Sequence, residues 1–176
     1  MKLVMISFTL ALAAASAQDI KFPASFDKLA AKAKDSTEVT LDANMLQLAG
    51  KFLNGGGDEA KAKKLAAGLK AIYVRSFEFD KEGEYDASDV EAVRSQLKAP
   101  EWKRIVSSRS KDGEISEIYL KTSSDGGAGG LIVIDAEPKE LTIVDISGAI
   151  SADDLNTLGG QFGIPNVDAS KGKGKE

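Results

Sequence analysis

TSSDGGAGGLIVIDAEP, residues 122–138, sets four glycines ahead of the apolar run Leu131–Ile134. A phosphate-cradling loop has the order strand, glycines, helix, because the anion sits on the amides that open the helix. Here the glycines are followed by the alternating run Leu131–Ala136, the turn-like EPKE at Glu137–Glu140, and a second run at Leu141–Ile146. No helix start and no Gly-Lys-Ser/Thr follows. The order is therefore strand, glycines, strand, and Asp125-Gly126 is a common hairpin dipeptide. The stretch predicts a surface turn between two antiparallel strands, short on side chains to bury and so tolerant of shortening.

Period-two alternation begins at Trp102. It predicts strands at 102–108, 115–121, 131–136 and 141–146, joined by hairpin-length connections such as KDG at Lys111–Gly113. Upstream, the period lengthens. Phe22, Phe26, Leu29, Ala30 and Ala33 mark a first helix near Ala24–Ala33. A short strand is expected at Glu38–Leu41. Asp42 can then cap a helix whose inward stripe is read as Met45, Leu48, Ala49 and Phe52. The glycines of Asn54–Gly57 stop that helix, and Asp58 opens a lysine-rich one. Ala71–Phe79 is apolar on both sides and predicts a strand inside the sheet. A helix over 89–97 follows, with Ser88 and Glu91 at capping-box spacing. A last helix is expected from Ser151, with Asp153 and Asp154 in its first turn.

The pattern predicts an α+β fold: a mainly antiparallel sheet with a C-terminal four-strand meander, and helices packed on one face. Leu131–Ile134 and Leu141–Val144 are apolar on both sides and strain that last expectation. Either the first or the last helix crosses to the second face, or an apolar patch there docks a partner or a second copy.

The first residues stand apart. Lys2, the apolar run Leu3–Ala15 and the small-x-small end Ala15-Ser16-Ala17 are the pattern of a secretory leader, with cleavage expected between Ala17 and Gln18. The apolar run is shorter than the roughly 20 residues that span a bilayer. The expected organisation is a leader over 1–17, one domain over 18–166 and a disordered tail over 167–176. The destination is periplasmic or extracellular, with no membrane insertion after cleavage.

Composition removes whole chemistries. The 176-residue chain has no cysteine and no histidine. Histidine-based triads, thiol nucleophiles and ordinary zinc sites are excluded, and packing must replace disulfide staples. Losing the leader takes only Lys2 and leaves 22 basic against 27 acidic residues. A mildly acidic chain is repelled by nucleic acid and anionic lipid, which argues against both as partners.

Two further stretches carry the residue types of a binding loop. In NGGGDEA the glycines precede a helix, but Asp58 and Glu59 occupy its start and repel an anion. From Asp80, the residues Asp80, Glu82, Glu84, Asp86, Ser88 and Glu91 fall at positions 1, 3, 5, 7, 9 and 12 of a calcium loop. Tyr85 then stands where that loop needs glycine, and a strand stands where it needs a helix. A solvated acidic turn fits better. No catalytic residue and no cofactor is assigned.

Three stretches carry a likeness: Phe26–Leu53, Glu101–Thr122 and Gly129–Leu158, most specifically TIVDISGAI at 142–150 with Gly148 near its end. Together they resemble the bacterial family called domain of unknown function 4252, whose members are small exported proteins with no established activity. The resemblance implies export, a single domain and α+β structure. The expected role is a non-enzymatic protein- or ligand-binding module of the envelope, with an envelope protein or a second copy as partner. The alternatives are a carboxylate-based hydrolase and a module stabilised by calcium at Asp80–Glu91.

Overall fold

A computed structural model describes residues 18–52, 58–123, 127–151 and 154. The described elements are α1 (Ser25–Lys32), β1 (Asp35–Asp42), α2 (Ala43–Phe52), α3 (Asp58–Gly68), β2 (Leu69–Glu78), α4 (Ala87–Arg94), β3 (Trp102–Arg109), β4 (Ile115–Thr122), β5 (Ala128–Glu137) and β6 (Glu140–Ile150). The strands form one antiparallel sheet in the order β1-β2-β6-β5-β4-β3. The fold is α+β, and the four-strand meander is β3 to β6. β2 pairs with both β1 and β6, the interior place that its two apolar sides predict.

The helices do not share one face. Alternate residues of each strand point to opposite sides, and the sheet carries a separate core on each. On the first side Phe77, Ile132, Ile134, Leu141 and Ile143 pack with Phe26 and Leu29 of α1 and Val90 and Val93 of α4. On the second, Ile72, Val74, Leu131, Val133, Val144 and Ile146 pack with Leu46 of α2 and Leu65 of α3. This corrects the expectation of helices on one face. Ile132, Val133, Ile143 and Val144 are all fully buried, so the doubly apolar strands are covered on both sides and offer no sheet patch to a partner. The connectivity gives the reason. The segment from β2 to β3 joins strands at opposite sides of the sheet and carries α4 across the first face.

Helix α2 is rotated from its expected setting. Asp42 caps it as foreseen, with the Met45 N–H donating to Asp42 Oδ1 at 2.9 Å. Leu46 and Gly50 face inward, however, and Met45 and Leu48 are 51% and 54% exposed. A Cβ at Gly50 would meet that of Ala66 in α3 at 3.8 Å, an ordinary contact, so this face of α2 lies against α3 without requiring glycine there. Helix α4 also starts earlier than expected. Its box is Asp86 with Asp89: the Asp86 N–H donates to Asp89 Oδ2 at 3.0 Å, and the Asp89 N–H to the Asp86 carbonyl at 2.9 Å.

Two of the four glycines ahead of Leu131 are strand residues, and the expected Asp125-Gly126 hairpin dipeptide lies outside the described residues. β5 begins at Ala128, so Gly129 and Gly130 are strand residues. A Cβ at Gly130 would stand 2.5 Å from Asp19 Oδ2 and 3.3 Å from the Ile146 carbonyl. The stretch therefore cannot be shortened freely. At the far end, the Ser151 N–H donates to Asp154 Oδ2 at 2.8 Å and the Asp154 N–H to Ser151 Oγ at 3.2 Å. These are the reciprocal bonds of a helix start. The remainder of the expected last helix, the expected leader over 1–17, Asn54–Gly57 and the expected tail over 167–176 lie outside the described residues.

Candidate functional site

Three connections meet at one end of the sheet and enclose a cleft of about 560 Å3. The loop from β2 to α4 supplies Glu82, Gly83 and Tyr85. Helix α4 supplies Ala87, Val90 and Arg94. The β3–β4 hairpin supplies Arg109, Gly113 and Ile115, and the β5–β6 end supplies Ala136 and Pro138. Gly83 and Gly113 take φ values of 79° and 90°, in the left-handed region where glycine is favoured. They let the chain turn at two walls.

Packing holds these walls in place. A row of rings runs Phe22, Phe26, Phe77, Phe79, Tyr85, with neighbouring centroids 5.3–6.5 Å apart. The Tyr85 hydroxyl donates to the Glu137 carbonyl and ties the loop to the β5–β6 turn. Burial and the nearby Glu137 and Asp135 charges push that phenol up to about 12, so it stays a donor. Arg94 is fixed by its Nε–H to Glu117 Oε2 at 2.9 Å and its Nη1–H to Glu91 Oε2 at 2.8 Å. Glu117, 3% exposed, also accepts from Arg104 Nη1 at 3.0 Å and from the Tyr119 hydroxyl at 3.0 Å. Burial alone would raise its carboxyl, but the bonds and charges of Arg94, Tyr119 and Arg104 hold it below the ordinary value.

The carboxylates of the calcium-like loop are divided among separate tasks. Glu84 Oε2 accepts from the Lys81 N–H at 2.9 Å, Asp86 opens α4, and Glu91 pairs with Arg94. The Asp80 carbonyl accepts from Lys139 Nζ, and Glu82 faces the cleft. Among the described residues, no three acidic side chains converge as metal ligands. The sequence reading missed Arg109, Ile115, Ala136 and Pro138 as cleft residues.

A second polar cluster was also missed. Asp145, at the centre of the sheet, is fully buried. Its Oδ2 accepts from the N–H groups of Asp19 at 3.0 Å and Ile20 at 3.3 Å. Asp19 in turn accepts from Ser147 Oγ at 2.8 Å and Lys121 Nζ at 2.7 Å. Gln96 holds the next residue through both its amide atoms, 2.9 Å from the Lys21 N–H and 2.9 Å from the Lys21 carbonyl. The extended segment before α1 is thereby strapped to the sheet. Burial pushes the Asp145 carboxyl up to about 7, and the Asp19 charge adds to this. The two N–H bonds and Lys121 offset it only in part. This carboxylate pair is the arrangement a hydrolase would need, but Asp145 is sealed from solvent and neither residue lines the cleft.

The pair predicts an unusual pH dependence. In the folded state Asp145 holds its proton to about pH 7, whereas the unfolded chain releases it near 3.8. Between those values the folded state binds more protons, so stability falls as pH rises from about 4 to 7. Asp135, pushed up to about 6 mainly by burial, adds to the same fall. The chain has no histidine to titrate in that window. The melting temperature should therefore drop from pH 4.5 to 7, and Asp145→Asn should remove most of the drop. An unchanged slope in the variant would show that Asp145 does not carry it.

The model of the family Domain of unknown function (DUF4252) matches residues 26–158, and the chain belongs to that family. No curated protein matches the chain. No solved structure matches it either.

Proposed function

We propose that this member of a family without an assigned activity is an exported envelope protein that binds a small ligand in the cleft and performs no chemistry on it. The observation that carries the reading is the cleft itself. Three connections far apart in the chain converge on one concavity, whose size falls within the roughly 300–1,000 Å3 of small-molecule sites. Connections held by a rigid sheet are where binding residues gather. The lining pairs an apolar floor of Val90, Ile115, Ala136 and Pro138 with few charged groups, the usual balance for holding and orienting a ligand. The two carboxyls pushed furthest up, Asp145 and Asp135, are outside the lining, which favours binding over acid–base catalysis. Export rests on the leader pattern.

Native mass spectrometry of the protein taken from the cell envelope tests both parts. The expected chain starts at Gln18 and carries a bound small molecule. Ala87→Trp, which fills the cleft from an exposed position at the start of α4, should leave the fold intact and remove that molecule. A chain that keeps Met1, or a ligand that stays bound to the variant, contradicts the corresponding part.

A further inference from the structure

We infer that the cleft takes a short peptide with free termini and apolar side chains. The inference rests on the cleft being the binding site and concerns what its charges select. Two lining side chains of opposite sign are unspent. Glu82 stands on the β2–α4 loop and Arg109 at the end of β3, both exposed. No ion pair joins them, and neither pairs with another described residue. Arg94, the other cation of the lining, has Nε and Nη1 committed to Glu117 and Glu91, while its Nη2 is buried without a hydrogen-bond partner.

Ligand classes separate on this charge pattern. A neutral apolar molecule uses the floor and leaves both charges idle. An amphipathic acid meets Arg109 but also faces Glu82. An amine meets Glu82 but faces Arg109. A molecule with both signs satisfies each wall. The two charges stand on separate connections, so charges at the two ends of a peptide serve them better than charges borne on one carbon. The apolar floor, Val90, Ile115, Ala136 and Pro138, then lies under the peptide side chains.

Calorimetric titration with leucyl-leucine, its N-acetyl form and its C-terminal amide tests this. Leucyl-leucine should bind best. Each blocked form should bind more weakly by roughly three- to fivefold, the scale of one exposed ion pair. Glu82→Gln should weaken leucyl-leucine and the amide but not the acetylated form. Arg109→Gln should weaken leucyl-leucine and the acetylated form but not the amide. Equal binding of all three peptides overturns the inference, as does a variant that weakens all three alike. If none of them binds while Ala87→Trp still strips the ligand found in the envelope, the ligand class is wrong and the cleft reading stands. If leucyl-leucine binds Ala87→Trp as tightly as the native protein, the cleft is the wrong place.

Discussion

Gly148→Ala should lower stability by about 3–5 kcal/mol, summing strain at a disallowed backbone angle and overlap in a packed site. Gly148 has φ 134°, a conformation that side chains other than glycine's rarely take. Near it the pairing of β2 with β6 shifts register between Leu69 and Ala71. A Cβ would lie 2.6 Å from the Gly68 carbonyl, 2.6 Å from Leu69 Cα and 2.9 Å from the Lys70 nitrogen. All three are backbone atoms of the α3–β2 junction, so no side chain can swing aside. A domain with about 5–15 kcal/mol in total would become marginal. Urea unfolding measures the change, and a loss under about 1 kcal/mol would mean that β6 can slide away from that junction.

Ile132→Glu should prevent folding outright, with a loss above about 4 kcal/mol from an uncompensated buried charge. Ile132 is fully buried and sits between Tyr119 of β4 and Asp145 of β6. The new carboxylate would stand beside one that burial already keeps from ionising. Circular dichroism of the purified variant should show no cooperative transition. A folded, cooperative variant would mean that this side of the sheet opens to solvent, contrary to the packing of α1 and α4 over it.

Much of the architecture could be read along the chain because strands announce themselves locally. Alternation over 102–146 marked the meander, and the double apolarity of Ala71–Phe79, Leu131–Ile134 and Leu141–Val144 marked strands that need cover on both sides. Which helices supply that cover could not be read, since it depends on how the chain returns from β2 to the far edge at β3. Helix α2 shows a different limit. Met45, Leu48, Ala49 and Phe52 make as regular a stripe as the one through Leu46 and Gly50, and nothing within the helix decides between them. Gly129 and Gly130 read as turn because the run stands between two strand patterns and includes a hairpin dipeptide. The close approach at Gly130 comes from Asp19, more than a hundred residues away in sequence. The cleft had no local signal at all, since its walls come from four separate parts of the chain. Asp145 gave one faint clue, a lone carboxylate within the apolar strand TIVDISG. Its partners, the amides of Asp19 and Ile20, carry no pattern.

The most direct measurement is a map of amide chemical shifts in the isotopically labelled protein as leucyl-leucine is added. The account predicts that the shifting amides cluster at Glu82–Val90, Arg109–Ile115 and Ala136–Pro138, leaving α2, α3 and β1 undisturbed. Shifts centred on the exposed Met45–Leu48 face of α2, or no shifts at saturating peptide, would contradict it.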